Sequence, residues 1–167
     1  MTGVQTCALP IYVYTANSSY ADISTAGSDS NYLQISGYNF SIPTGATING
    51  YVVEIKRYDG DNGSGYQSYD SSVRLLYMSS AIGGDKASSS VWPTTPAYAT
   101  YGSSSDTWGA SLTANQVDAS EFGVALAVKG NPARVDHVRM TVYYTPLGAS
   151  VYDSFMDLIR TLFRKIS

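Results

Sequence analysis

Phe122, Val124, Leu126 and Val128 alternate with Gly123, Ala125 and Ala127. After residues 129–133 a second alternation sets Val138, Met140, Val142 and Tyr144 on one face. Successive side chains of a strand point to opposite sides, so this spacing predicts two core-facing strands joined by a short turn. We expect them to form the central hairpin of an antiparallel β-sandwich. Upstream, Tyr51, Val53 and Ile55 against Val52, Glu54 and Lys56 predict a strand over 47–58 whose outer face is partly solvated. Val73, Leu75 and Tyr77 predict another over 72–78. Short β-prone runs occur at 12–15 and 20–23. Leu33, Ile35, Tyr38 and Phe40 read as inward residues of a strand over 32–42, with a phase slip at Ser36-Gly37 that a bulge would absorb. Pro43-Thr44-Gly45 is a turn signal. Pro93 and Pro96 cannot donate ladder hydrogen bonds, so 91–101 reads as an edge strand or extended loop. Thr113 followed by Gln116 has the spacing of a capping box and predicts a single helical turn.

The tail changes period. Pro146-Leu147-Gly148 ends the last strand, and Ser150 with Asp153 is an N-cap signature. Val151, Phe155, Leu158, Leu162 and Ile166 form an apolar stripe opposite Asp153, Asp157, Arg160, Arg164 and Lys165. Acids first and bases last suit the helix dipole. The expected architecture is therefore all-β, an antiparallel β-sandwich of jelly-roll-like kind, followed by a C-terminal amphipathic helix. That helix must cover its apolar face, either on the sandwich or a partner chain, or peripherally on a membrane. No run is long enough to span a bilayer.

Only 14% of the 167 residues are charged and the net charge is -3. Such a surface lacks the clustered Lys and Arg that nucleic acid requires, so no nucleic-acid partner is expected. Abundant Ser, Gly, Thr and Tyr, with 15 Tyr and 15 Gly, agree with short strands and tight turns.

Candidate chemistry is sparse. His137 is the single histidine, and its neighbour Asp136 should point to the opposite strand face. No G-x-S-x-G is present, so a Ser-His-Asp hydrolase is not expected, and one His with one Cys leaves zinc almost without ligands. Asp59, Asp61 and Asp70 fall at positions 1, 3 and 12 of a calcium loop, but Gly63 and Ser64 break the pattern at 5 and 6. That run reads either as a turn-rich hairpin loop or as a calcium site using Asp59 and Asp61; no other cofactor is expected. Glu54 and Glu121 are the only glutamates, and Glu54 beside Lys56 reads as a solvated strand face rather than half of a glycosidase pair. Tyr66, Tyr69, Trp92, Tyr98, Tyr101 and Trp108 lie in predicted loops or irregular segments. Exposed together they would make a sugar-stacking platform; buried, the tryptophans would close the ends of the core.

Two resemblances add to this. Residues 1–11, MTGVQTCALPI, resemble the translation of a sequencing adapter. This implies a reading frame from an environmental assembly, with the natural start missing and the single cysteine, Cys7, outside the natural part. It also implies a partition into 1–11, a β-sandwich over 12–145, and a linker and helix over 146–167. The segments GYNFSIPTGATINGYVVEI, TYGSSSDTWG, NQVDASEFGVAL and VDHVRMTVYYT resemble a β-sandwich module repeated in bacterial surface proteins and phage-associated structural proteins. Phe40, Ile42, Pro43, Ile48, Gly50, Tyr101, Gly102, Asp106, Trp108, Gly109, Phe122, Gly123, Val135, Asp136, Val138 and Tyr143 carry it. The loop in GSSSDTWG is one residue longer than in that group. The resemblance implies an extracellular, cell-surface or virion module for structure or adhesion, with no enzymatic activity. The rival expectation is a carbohydrate-binding module using the loop aromatics, with a glycan or other surface partner.

Overall fold

The computed structural model describes residues 3–8, 16, 18–25, 27–60, 67–130 and 132–148. The predicted C-terminal helix and the β-prone run 12–15 lie outside them. The elements in order are β1 (Gly3–Ala8), β2 (Ala21–Ile23), β3 (Leu33–Ser36), β4 (Thr47–Asp59), β5 (Tyr69–Tyr77), β6 (Ser80–Ile82), β7 (Ala97–Gly102), α1 (Ala114–Asp118), β8 (Gly123–Lys129) and β9 (Ala133–Thr145). They form two antiparallel sheets. Sheet A has the order β1-β9-β4-β7, with β2 also paired to β9. Sheet B has the order β3-β8-β5-β6.

The expected hairpin of β8 and β9 is not formed. β8 pairs with β3 and β5 in sheet B, while β9 pairs with β4, β1 and β2 in sheet A. Alternation specifies which side chains face the core but is silent about which strand lies alongside. Two apolar faces can share one side of a sheet or meet across a core, and here they meet. Val124, Leu126 and Val128 from one sheet and Val138, Met140 and Val142 from the other join one buried cluster. The crossing is pinned from outside the strands. Gly130 accepts from the Thr25 amide (3.1 Å) and hydroxyl (2.7 Å), and the Gly60 amide donates to the Pro132 carbonyl at 2.8 Å.

The other patterns map closely. β4 alternates as expected, with Tyr51, Val53 and Ile55 fully buried. β3 ends at Ser36 instead of bulging. Gly37, at φ +81°, turns the chain out of the sheet, yet Tyr38, Phe40 and Ile42 still reach the core. The Ala46 amide closes a turn onto the Pro43 carbonyl (3.0 Å), with Gly45 at φ +81° where a type II turn needs a positive φ. β7 is an edge strand. Thr113 caps α1 with Gln116 in a reciprocal capping box, which turns Ala114 and Val117 into the core.

Candidate functional site

The inward phase of β4 does not stop at Ile55. Arg57 and Asp59 continue it and are buried. An isolated buried guanidinium is costly, so it must be paired. The partner is Asp70 at the start of β5, whose Oδ1 accepts from Arg57 Nη1. The same oxygen accepts from the Trp92 indole N–H at 2.9 Å, while Oδ2 accepts from the Tyr101 hydroxyl and the Ser88 amide, both at 2.9 Å. The Arg57 guanidinium also lies over Trp92, 4.6 Å from the ring centroid. Four donors from three separate segments, β4, the β6–β7 connection and β7, therefore converge on one carboxylate.

This knot decides where several predicted site residues belong. Trp92 and Tyr101 are 2% and 5% exposed, and their polar atoms point at Asp70. Trp108 is 1% exposed and gives its indole N–H to the Tyr51 carbonyl at 3.2 Å. None of the three offers a ring to solvent, so a loop-tip platform of tryptophans is not present. Each sits at the end of the core because its single donor needs an interior acceptor. Asp70 is likewise committed: a calcium ion there would have to displace Arg57. Asp59 accepts from the Ser68 amide at 3.2 Å. Asp61 and Tyr66 lie outside the described residues. Among the described residues no group of three His, Cys, Asp or Glu is placed to hold a metal ion. Arg57 was the legible signal for this knot, since it falls in the buried phase of an unmistakable strand.

Tyr98 and Tyr69 are placed differently. Tyr69 is half-buried on β5, with the Lys129 ammonium 6.0 Å from its ring centroid. Tyr98, on edge strand β7, is 41% exposed on the outer face of sheet A. Its hydroxyl lies 2.7 Å from His137 Nδ1, and the Arg139 guanidinium is 4.7 Å from its ring centroid. Arg139 binds Glu54 through two parallel bonds, Nε and Nη2 each 2.7 Å from a carboxylate oxygen. Register brings these residues together: Lys56 lies between Tyr98 on β7 and His137 on β9, and Glu54 lies opposite Arg139.

A register shift between Lys56 and Arg57 inserts an extra β9 residue there. The expected separation of Asp136 from this face is thereby lost. Asp136 is fully buried, forms an ion pair with Lys56 at 2.7 Å, and accepts from the Ser18 amide at 3.2 Å. Burial, then the positive charge of Arg139, hold the His137 pKa below the ordinary imidazole value. Farther along the same face, Tyr20 meets Tyr58 edge to face at 5.0 Å. Arg134 lies over Tyr58 and pairs with Asp22 at 2.7 Å.

A separate open cleft of about 630 Å³ lies between residues 44–48 and 107–115, with Thr44, Thr47, Ser111 and Asn115 around Ile48 and Leu112. Among the described residues no charged side chain lines it. No protein-family model, curated protein or solved structure matches this chain.

Proposed function

We propose that the chain is a jelly-roll-like β-sandwich module that serves as a structural and adhesion element on an extracellular or virion surface, without catalysing a reaction. Strand order carries the reading. Counting β2 to β9 as first to eighth, sheet A runs first, eighth, third, sixth, and sheet B runs second, seventh, fourth, fifth. Eight strands take this order when two Greek keys wrap into a jelly roll, an architecture of capsid and lectin domains. A fold hosts many functions, so the surface role draws equally on the resemblance described above. Residues that carry it hold structural posts. Trp108 closes onto Tyr51, the Asp106 carboxylate accepts from the Trp108 amide at 2.8 Å, and Gly123 lets β3 approach β8. The C-terminal segment, expected from its apolar stripe to be an amphipathic helix, is proposed as the attachment element, on a partner chain or at a membrane surface.

The test uses the full chain, fluorescently labelled and pelleted with intact bacterial cells, with unlabelled protein as competitor. Saturable, competable pelleting is the expected result. Turnover of ester, glycoside or phosphoester substrates, without cell association, would overturn the reading.

A further inference from the structure

We propose that the outer face of sheet A binds an uncharged oligosaccharide, stacked on Tyr98 and hydrogen-bonded by the Glu54–Arg139 pair. The charges on this face choose the ligand. Lys56, Arg134 and Arg139 are each matched, at 2.7 Å, by Asp136, Asp22 and Glu54. With each of these cations paired, the face shows among the described residues no excess charge with which to attract an acidic glycan, an anionic membrane or a basic peptide. A neutral polyol needs no such excess, because its hydroxyls both donate and accept.

The geometry supplies what such a ligand requires. Arg139 spends Nε and Nη2 on Glu54, which leaves Nη1 as donor and the second lone pairs of both carboxylate oxygens as acceptors. Bidentate pairing holds the two groups in one plane and lowers the cost of ordering them around a ligand. Tyr98 adds a 41% exposed ring on an edge strand, fixed by His137 through its hydroxyl; the Arg139 guanidinium lies over one face, 4.7 Å from the centroid, so the sugar stacks on the other. The motif then recurs. Tyr58, Arg134 and Asp22 repeat the combination of aromatic, guanidinium and carboxylate four residues along β4 from Glu54. At strand rise that is about 13 Å, a spacing for an oligomer rather than a single ring. The inference deepens the adhesion reading by naming a ligand class and a face.

The experiment is a glycan array probed with the full chain, followed by calorimetry with a neutral oligosaccharide taken from it. Neutral glycans should bind saturably, with affinity little changed between low and high salt. Tyr98→Ala and Arg139→Gln should each weaken binding tenfold or more. Tyr32→Ala, which alters an equally exposed tyrosine just before β3, on the sheet B side, should leave it unchanged. Urea midpoints of the variants report whether each still folds, and Arg139→Gln keeps the test open if Tyr98→Ala does not. No neutral glycan bound, binding only to acidic glycans with steep salt dependence, or binding indifferent to both variants would overturn the proposal. If Tyr98→Ala still pellets with cells while no glycan binds, the adhesion reading stands and this inference falls.

Discussion

Asp70→Asn isolates the energetics of the interior knot. The substitution keeps shape and volume but removes the charge opposite Arg57, which is buried and whose nearest ring neighbour is Trp92. It also inverts half the hydrogen bonds. If the new amide group takes the place of Oδ1, it faces Arg57 Nη1 and the Trp92 indole N–H, both obligate donors. If it takes the place of Oδ2, it faces the Ser88 amide, another obligate donor, and the Tyr101 hydroxyl, which can rotate to accept. The second orientation is the cheaper and still orphans one backbone N–H. Breaking a buried pair from one side costs about 3–5 kcal/mol. That is a large part of the ~5–15 kcal/mol that holds a domain together. The assay is urea unfolding followed by fluorescence, since Trp92 touches the knot directly and Trp108 reports the core elsewhere. The midpoint should fall with the slope unchanged. Adding Arg57→Met removes the stranded charge and should recover part of the loss. A cost below about 1 kcal/mol, or a double variant less stable than Asp70→Asn alone, would refute the reasoning.

Further outcomes are expected from single substitutions and from pH. Gly123→Ala would place a Cβ 1.8 Å from the Ile35 carbonyl oxygen and drive β3 off β8. It should cost about 3 kcal/mol or more in urea melts, the upper end of overpacking penalties. Gly109→Ala meets no neighbour within 4 Å and pays only for its φ of +68°, about 1–2 kcal/mol. Thr113→Ala removes the hydroxyl half of the capping box, leaving the backbone amide bond to Gln116, and should cost about 0.5–2 kcal/mol, read as a shift in the urea midpoint. His137 is held neutral by burial and by Arg139, with Lys56 opposing its protonation and Asp136 and Glu54 favouring it. The unfolded chain therefore takes up the proton first, and stability should fall as pH drops below about 6.5. His137→Gln should flatten that slope between neutral pH and about 5 in melts across pH. Asp106, held low first by Lys86, adds its own loss only below the ordinary carboxylate range.

The faces of the strands were legible in the sequence because a period of two leaves few alternatives. Tyr51-Val53-Ile55 and Val138-Met140-Val142 landed where their spacing put them. Pairing was not legible: β8 and β9 are neighbours in sequence and belong to different sheets, and nothing in an alternation encodes that. Reading further along β4 would have found the interior knot, since Arg57 in the buried phase demands an acid. The cluster around Tyr98 was out of reach for a different reason. Tyr98, Glu54, His137 and Arg139 come from three strands, and their meeting depends on register and on the shift beside Lys56.

The division of polar residues between an interior knot and an outer binding face is tested most directly by amide chemical-shift mapping of the full chain. The titrant is a neutral oligosaccharide drawn from the array. The account predicts perturbations centred on Glu54, Tyr98, His137 and Arg139, fading toward sheet B. Perturbations confined to the cleft around Ile48 and Leu112, or no perturbation at all, would contradict it.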